Sequence, residues 1–469
     1  MDRAVLVIGA GMAGLRAALD LAKNGVHVVL VDQEPVIGGV MAARLADKSE
    51  TFDFAHATEL PRVDEVAKNP KIEVLTLTHV DRVLGEPGAF EVSLTKRARM
   101  VNDKCTRCNR CHAVCPVVVP NQFYSGLSHR KAIYTPFFEA YPSNYVIDLN
   151  SCLNKPPNYL PCARCAEACE DHAIQFSMPL EEKLTRTVSA VILASGFRMG
   201  EPEPLQRHGY GTHPDILTSM ELERLITPGG PTGGFAEKPS NNGSPDRVLF
   251  VMTDASPFST SCAAAQCDRL TQQGVNAITV LHPKVTSRGE SFRDFWMRVA
   301  HRKVTLADGE LERISPSDDG TFRVRYKLTG DLMSAAQDFD LVVFTTPVLP
   351  PDSLPKTAEA LGIELDVDGF VKQGNRDWGP NATTRLGVYV AGCVSRPKDI
   401  RDSIAESKSA AVCAMRHVER SVFDQEELLG TVQHSGVMIN GRWLTEEELR
   451  QRVEGFLSQI MGVQSQERQ

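Results

Sequence analysis

The sequence predicts an α/β fold made of two dinucleotide-binding units, the first interrupted by a cysteine-rich insertion. Three observations carry this. An apolar run at 4–8 leads into Gly9-Ala10-Gly11-Met12-Ala13-Gly14, a helical pattern at 15–24 closed by Gly25, and a second largely apolar run at 26–31, the strand–turn–helix–strand order of a dinucleotide-binding unit. Eight of the chain's 12 cysteines fall between positions 105 and 169 at the spacing of metal ligands. A second strand–helix–strand pattern starts at Arg247 and reaches Leu281.

Each glycine of the first turn has a physical task. Gly9 permits the turn, Gly11 admits a pyrophosphate, and Gly14 lets helix and strand pack closely, while the helix N-terminus turns its positive end to the phosphates. Asp32 ends the second strand about 20 residues on, where an acid binds the adenosine ribose hydroxyls. Glu34 is the rival ligand, and a solvated acid just past the strand is the plainer alternative for Asp32. Gly38-Gly39 follows.

This arrangement resembles the acid-plus-double-glycine element of two-dinucleotide-domain flavoproteins of the glutathione-reductase type. Val191-Ile192-Leu193-Ala194-Ser195-Gly196 resembles their strand ending in Ala-Thr-Gly. Leu386-Gly387-Val388-Tyr389-Val390-Ala391-Gly392-Cys393 resembles their strand ending in Gly-Asp, with Cys393 in place of the acid that contacts the flavin ribityl chain. The resemblance implies FAD, bound by Gly9, Gly11, Gly14, Asp32, Gly38, Gly39, Gly196, Gly392 and Cys393. Disulfide reductases of that type carry C-x4-C directly after the double glycine. Here Val40-Met41-Ala42-Ala43-Arg44 holds no thiol, so flavin-to-dithiol chemistry of that kind is not expected. Cys262 and Cys267 share such a spacing in another domain and read as two small buried helix residues rather than a redox pair.

Cys105, Cys108, Cys111 and Cys115-Pro116 form C-x2-C-x2-C-x3-C-P, the run that holds [4Fe–4S] clusters in bacterial ferredoxins. Cys152, Cys162, Cys165 and Cys169 form a second run, with a nine-residue first gap and Glu170 where proline is usual. The fourth cysteine of each run crosses to the other cluster in two-cluster ferredoxins. That assigns Cys105, Cys108, Cys111 and Cys169 to one cluster and Cys115, Cys152, Cys162 and Cys165 to the other. The competing reading is a pair of zinc knots, which use separated C-x2-C pairs; disulfides are the third. Residues 72–75 and 90–94 read as paired strands, and the flavin fold resumes at Thr187-Val188. The ferredoxin-like segment is thus an insertion fixed at both ends, expected to exchange electrons directly with the isoalloxazine.

The expected division is a first FAD-binding part at 1–98, the ferredoxin at 99–180, more of the FAD-binding domain and a linker at 181–245, a second Rossmann domain at 246–375, the last FAD-binding part at 376–420, and a helical tail at 421–469. The linker is rich in Pro, Gly and Asn, with one helix near 218–226. In the second domain the turn Thr253-Asp254-Ala255-Ser256-Pro257 lacks G-x-G-x-x-G, so no NAD(P)H phosphate cradle is expected there. A helix of small residues from Ser403 to Arg416 should aim its N-terminus at the flavin pyrimidine edge, where reduction places negative charge. Lys398 is the candidate charge partner and sole catalytic candidate; its alternative is an exposed loop lysine. In the tail, Thr445 and Glu448 fit a capping box ahead of an apolar stripe at 449–457.

With 469 residues, 42% hydrophobic and 23% charged, the chain suits several soluble domains, and its net charge of −8 gives nucleic-acid binding no electrostatic support. No apolar run approaches the roughly 18 residues of a bilayer span. Without a signal-peptide layout, and with cysteines at ligand spacing, the expected compartment is cytoplasmic, peripheral to a membrane only through partner subunits.

The motifs together resemble the heterodisulfide reductase A-subunit and its relative, the A-subunit of the quinone-interacting membrane-bound oxidoreductase. The carrying residues are the Gly9 turn, Gly38-Gly39, the inserted double cysteine run, Ser291-Phe292-Arg293-Asp294-Phe295-Trp296, and Ala391-Gly392-Cys393 with Pro397-Lys398-Asp399-Ile400. The resemblance covers about residues 3–415. It implies FAD, two [4Fe–4S] clusters and a multi-subunit electron-transfer complex, electron-bifurcating in some members, with redox proteins as partners and a homodimer compatible with it. Residues 51–55 carry no cysteine where some members have extra ones, so no further cluster is implied. The rival class is a self-contained NAD(P)H:acceptor oxidoreductase like the small glutamate-synthase subunit.

Overall fold

The computed structural model describes residues 4–42, 61–154, 160–200, 203–253, 256–282, 303–430, 436–439 and 442–445. The expectations on Ala43, Arg44, 51–55, Asp254, Ala255, 291–296, Glu448 and the stripe at 449–457 lie outside the described residues. The chain divides into two compact units, Met1–His417 and Val418–Gln469.

In the first unit β1 (Ala4–Ile8) is apolar and buried along its whole length, as a strand covered on both faces must be. It pairs in parallel with β2 (His27–Val31), which pairs in parallel with β3 (Ile72–Leu75). The connecting helix Met12–Lys23 starts three residues earlier than its apolar pattern and buries Leu15, Ala18 and Leu21. Each such leucine contributes about 1.5–3 kcal/mol by leaving water. The expected pairing of 72–75 with 90–94 does not occur. β4 (Thr78–Leu84) pairs antiparallel with β5 (Phe90–Arg97) instead, with a register shift between Val80 and Arg82. A bulge breaks period-two alternation, which hides β4 from a sequence reading.

The insertion begins after β5. It holds two short helices, Arg110–Val114 and Arg164–Glu167, and two small hairpins, β6 (Val119–Pro120) with β7 (His129–Arg130) and β8 (Ile133–Tyr134) with β9 (Val146–Ile147). Its core joins Met100, Val101, Ile133, Tyr145, Ile147 and Ile174 to Cys111, Cys115, Cys152 and Cys165. Val101 and Ile174 bridge near its two ends. β10 (Glu181–Val188) then pairs with β5 over eight residues, so the insertion hangs from two adjacent strands.

β11 (Ala190–Leu193) returns to pair in parallel with β1, and β12 (Arg198–Met199) follows. The second sheet is built from β13 (Ile216–Thr218), β14 (Arg247–Val251), β15 (Ala277–His282), β16 (Val304–Pro316), β17 (Phe322–Leu328), β18 (Ala335–Phe339) and β19 (Leu341–Phe344), in the order β13-β19-β14-β15-β16-β17-β18. It is parallel from β13 to β16 and antiparallel beyond. Its helices are Ser219–Ile226, closed by a capping box from Thr218 and Glu221, and Pro257–Gln272.

Two expected boundaries move. Residues 216–226, placed in the linker by composition, belong to the second sheet; a three-residue strand is too short to show a pattern. After β20 (Val348–Leu349), the helix Leu354–Leu361 with Ile363 and Val371 packs into the first core, although the expected second domain runs over 246–375. β21 (Val388–Val390) completes the first sheet as β21-β11-β1-β2-β3. The last helix is Ile400–Gly430, longer at both ends than expected. In the second unit an antiparallel hairpin, β22 (Gly436–Ile439) with β23 (Arg442–Thr445), stands where only helix is expected.

Candidate functional site

A cavity of about 590 Å³ is lined by both ends of the expected dinucleotide site, a volume in the range of small-molecule pockets. Gly9, Gly11, Asp32, Glu34, Gly39, Gly196, Gly392, Cys393 and Lys398 line it. Gly9 has φ +99°, and a Cβ there would fall 2.3 Å from the Ala194 carbonyl oxygen. At Gly11 the closest neighbour of such an atom is 3.9 Å away, leaving the backbone open to a phosphate. Gly14 and Gly38 do not line the cavity, contrary to their place among the expected cofactor contacts. Gly14 sits against Gly9, and the Gly38 N–H donates to the Ala10 carbonyl at 2.7 Å; both shape the turn.

Asp32 accepts hydrogen bonds from the Ala10 and Glu34 N–H groups at 2.5 and 2.8 Å. Burial pushes its carboxyl up to about 6, against the pull of those two donors. Each oxygen retains a lone pair for a ribose hydroxyl. Glu34 lines the same cavity but is exposed.

At the other end Lys398 is buried, not the exposed loop lysine of the alternative reading. Its Nζ donates to the Gly392 carbonyl at 3.0 Å and Ser395 Oγ at 2.6 Å and pairs with Glu406 at 3.2 Å. Burial lowers Lys398 and raises Glu406, and each partner opposes the other's shift. Glu406 also accepts from the Gly392 N–H at 3.2 Å; nothing in the sequence pattern distinguishes it. Asp399, Ile400 and Ser403 line the cavity, so the start of the last helix abuts it, with Asp399 Oδ1 capping the Asp402 N–H at 2.8 Å. Burial raises the Cys393 thiol, which lies 3.5 Å from the Lys398 carbonyl oxygen.

The eight cysteines of the insertion form two groups. Cys105, Cys108, Cys111 and Cys169 surround one small cavity with Tyr145 and Ile174. Cys115, Cys152, Cys162 and Cys165 surround another with Ile133, Ile147 and Phe176. The Ala173 N–H points at Cys169 Sγ, 3.3 Å away. Among the described residues no three His, Cys, Asp or Glu converge closely enough to hold a single ion. Four thiolates on one zinc would lie about 3.8 Å apart, whereas a cubane takes one thiolate per iron and needs its ligands spread around it. Four thiols around each cavity supply the one-thiolate-per-iron set that a cubane takes. Burial, with the neighbouring thiols adding to it, pushes Cys111 up to about 11 and Cys165 up to about 12, so each gives up a proton on taking a metal.

Several lining residues carry no signal in the sequence. Phe123, Arg130, Tyr134 and Phe137 reach the cavity from the insertion, and Met220, Arg224, Phe258 and Cys262 from the second sheet's helices. Arg224 donates to the Val40 carbonyl at 2.8 Å and lies 4.5 Å from the Phe123 ring centre, joining three segments. Cys262 faces the cavity, while Cys267 is fully buried in the second core. Five residues apart on one helix, their Cα atoms are about 9 Å apart by helical geometry, beyond the reach of a disulfide. At the turn after β14, Ser256 caps the helix through the Ser259 N–H and Pro257 occupies its first turn.

The family model for FAD dependent oxidoreductases matches residues 4–81. The iron-sulfur A-subunit of CoB–CoM heterodisulfide reductase from Methanocaldococcus jannaschii is 35% identical over 428 residues, 88% of this chain and 64% of that protein. The A-subunit of the H2/formate:CoB-CoM heterodisulfide,ferredoxin reductase of Methanococcus maripaludis is 31% identical over 449 residues, 92% of this chain and 67% of that one. Among solved structures, Lactococcus lactis thioredoxin reductase aligns with 89% of this chain and all of its own at 14% identity and a TM-score of 0.47. The chain spans about 64% of the length of the first of these relatives. On these identities and their extent, the chain belongs to the heterodisulfide reductase A-subunit family.

Proposed function

We propose that this chain is an electron-transfer subunit of an oxidoreductase complex, holding one FAD in the glycine-turn cavity and two [4Fe–4S] clusters in the insertion. The observation that carries the reading is the separation of the eight insertion cysteines into two groups of four, in a body whose sheets also carry the dinucleotide cavity. When bound, FAD supplies two-electron chemistry and the clusters one-electron transfer. Gly9, Gly11 and the start of the Met12–Lys23 helix hold the pyrophosphate, and Asp32 the ribose. Cys105, Cys108, Cys111 and Cys169 hold one cluster, and Cys115, Cys152, Cys162 and Cys165 the other.

Lys398 and Glu406 place a compensated charge pair beside Gly392 at the cavity's far end. Carbonyl, hydroxyl and carboxylate hold the ammonium in one position, where it can answer negative charge developing at the flavin edge. Cys393 stays protonated there. Redox proteins, not nucleic acid, are the partners. Among the described residues no helix is long and apolar enough to cross a membrane. Anaerobic purification followed by iron, sulfide and flavin assays should give about eight irons and one FAD per chain. Stoichiometric zinc in place of iron would overturn the proposal.

A further inference from the structure

We infer that Arg130 and Tyr134 of the insertion form the wall against which the adenosine half of the dinucleotide is held, and that the Cys115/Cys152/Cys162/Cys165 quartet sets this wall in place, so that FAD retention depends on loading of that one metal centre. This rests on the FAD and cluster assignment above.

The wall lies at the ribose end. Arg130 and Tyr134 line the same cavity as Asp32, Gln33 and Glu34. The Arg130 guanidinium lies 4.0 Å from the centre of the Tyr134 ring, so the two present a stacked, planar, partly apolar surface of the kind that accepts an adenine. Burial raises the Tyr134 phenol; Arg130 opposes this, and the carboxylates of Asp148 and Glu34 reinforce it, which puts Glu34 within electrostatic range of the ring. The root of the insertion is strapped to the same loop. Arg97 donates to the Gln33 carbonyl at 3.0 Å, and Arg99 donates to the Pro35 carbonyl and, at 3.0 Å, to that of Asn144.

The wall is also the back of a cysteine cavity. Ile133 lines the Cys115/Cys152/Cys162/Cys165 cavity while Tyr134, next along β8, lines the dinucleotide cavity, as successive strand residues face opposite sides. Arg130 is buried and donates to Asp148 at 2.8 Å and Gln122 at 2.9 Å. Asp148 organises the loop that presents Cys152. Its carboxylate accepts from Ser151 Oγ at 2.8 Å and the Asn150 N–H at 3.1 Å, and its carbonyl from the Cys152 N–H at 2.9 Å. A bound metal centre pins that loop; its loss releases Asp148, and Arg130 with it. The residues around the other quartet include no chain neighbour of a cavity-lining residue. Its links toward that side are Arg107, 5.0 Å from the exposed Phe138 ring, and Val101, whose carbonyl accepts from Asn144 at 3.0 Å beside the Arg99 strap; none of these hydrogen bonds is to Arg130 or Tyr134.

The test compares full-length wild type, C165S, C111S and R130Q, purified anaerobically, by iron content and by dissociation constants for FAD and for FMN, which lacks the adenosine. C165S and C111S should each lose about half the iron. FAD should bind at least about tenfold more weakly to C165S and R130Q, the scale of one stacked base, with FMN affinity unchanged, and to C111S as to wild type. An unchanged FAD affinity in C165S, an equal fall in C111S, or a joint fall of FAD and FMN in R130Q would each overturn the inference. If C165S does not fold, R130Q still decides it: its iron should stay at the wild-type level while its preference for FAD over FMN narrows. A wild type without iron would sink the functional proposal instead, and R130Q would still test the wall through the two flavins.

Discussion

Gly14 has no room for a methyl group. A Cβ there would lie 1.8 Å from the Gly9 carbonyl oxygen, so Gly14→Ala must push the helix off β1. Denaturant titration should find the variant less stable by about 1–3 kcal/mol, the usual cost of overpacking, and the purified protein should have lost its flavin. Asp32 makes a prediction of the opposite kind, in pH. Its carboxyl is raised from 3.8 to about 6, so the cofactor-free folded state holds the proton more tightly than the unfolded chain. Stability then falls as pH rises from about 4 to about 6, by as much as about 3 kcal/mol. Ribose hydroxyls donate best to the ionised form, so FAD affinity should climb through the same window. Asp32→Asn should flatten both curves; a wild-type affinity that is level between pH 4 and 6 would remove Asp32 as the ribose ligand. Lys398 and Glu406 are 1% and 17% exposed, and removing one leaves a buried charge unmatched. A double-mutant cycle on Glu406→Gln and Lys398→Met should return a coupling of about 1–3 kcal/mol, read from unfolding midpoints.

Among the elements, legibility tracks how local the information is. β1, its glycine turn and β2 are readable because buried parallel strands are continuous apolar runs and the turn demands glycine. β4 is not, because the bulge at Asp81 puts two polar residues in sequence. β13 is not, because Ile216–Thr218 is held by pairing with β19, a partner 126 residues away (342 less 216). The cysteine spacing, read with the crossover of the fourth cysteine in two-cluster ferredoxins, foretells which four side chains share each cavity. Arg130, Tyr134 and Arg224 have no such signature, since what they do depends on segments brought together only by folding. Arg224 is the clearest case. Its hydrogen bond to Val40 and its stacking on Phe123 join the second sheet's helix to the double-glycine loop and to the insertion. Arg224→Leu should lower stability by about 1–3 kcal/mol in chemical denaturation and loosen flavin binding with it.

Across the whole first unit, one arrangement recurs: the insertion is fixed by β5 and β10 at its root, and its hairpins furnish part of the dinucleotide cavity's lining. On the proposed assignment the flavin and the metal centres share walls, which suits a chain that passes electrons onward. The second sheet keeps a Rossmann order, but a serine cap and a proline stand where a nicotinamide dinucleotide would need a glycine turn. On the proposed function, reducing equivalents arrive through protein contact. The most direct test mixes the holoprotein anaerobically with NADH or NADPH, and separately with a reduced one-electron carrier protein, while following flavin absorbance. The flavin should stay oxidised with either pyridine nucleotide and bleach with the carrier. Rapid bleaching by NADH or NADPH would contradict entry through protein contact.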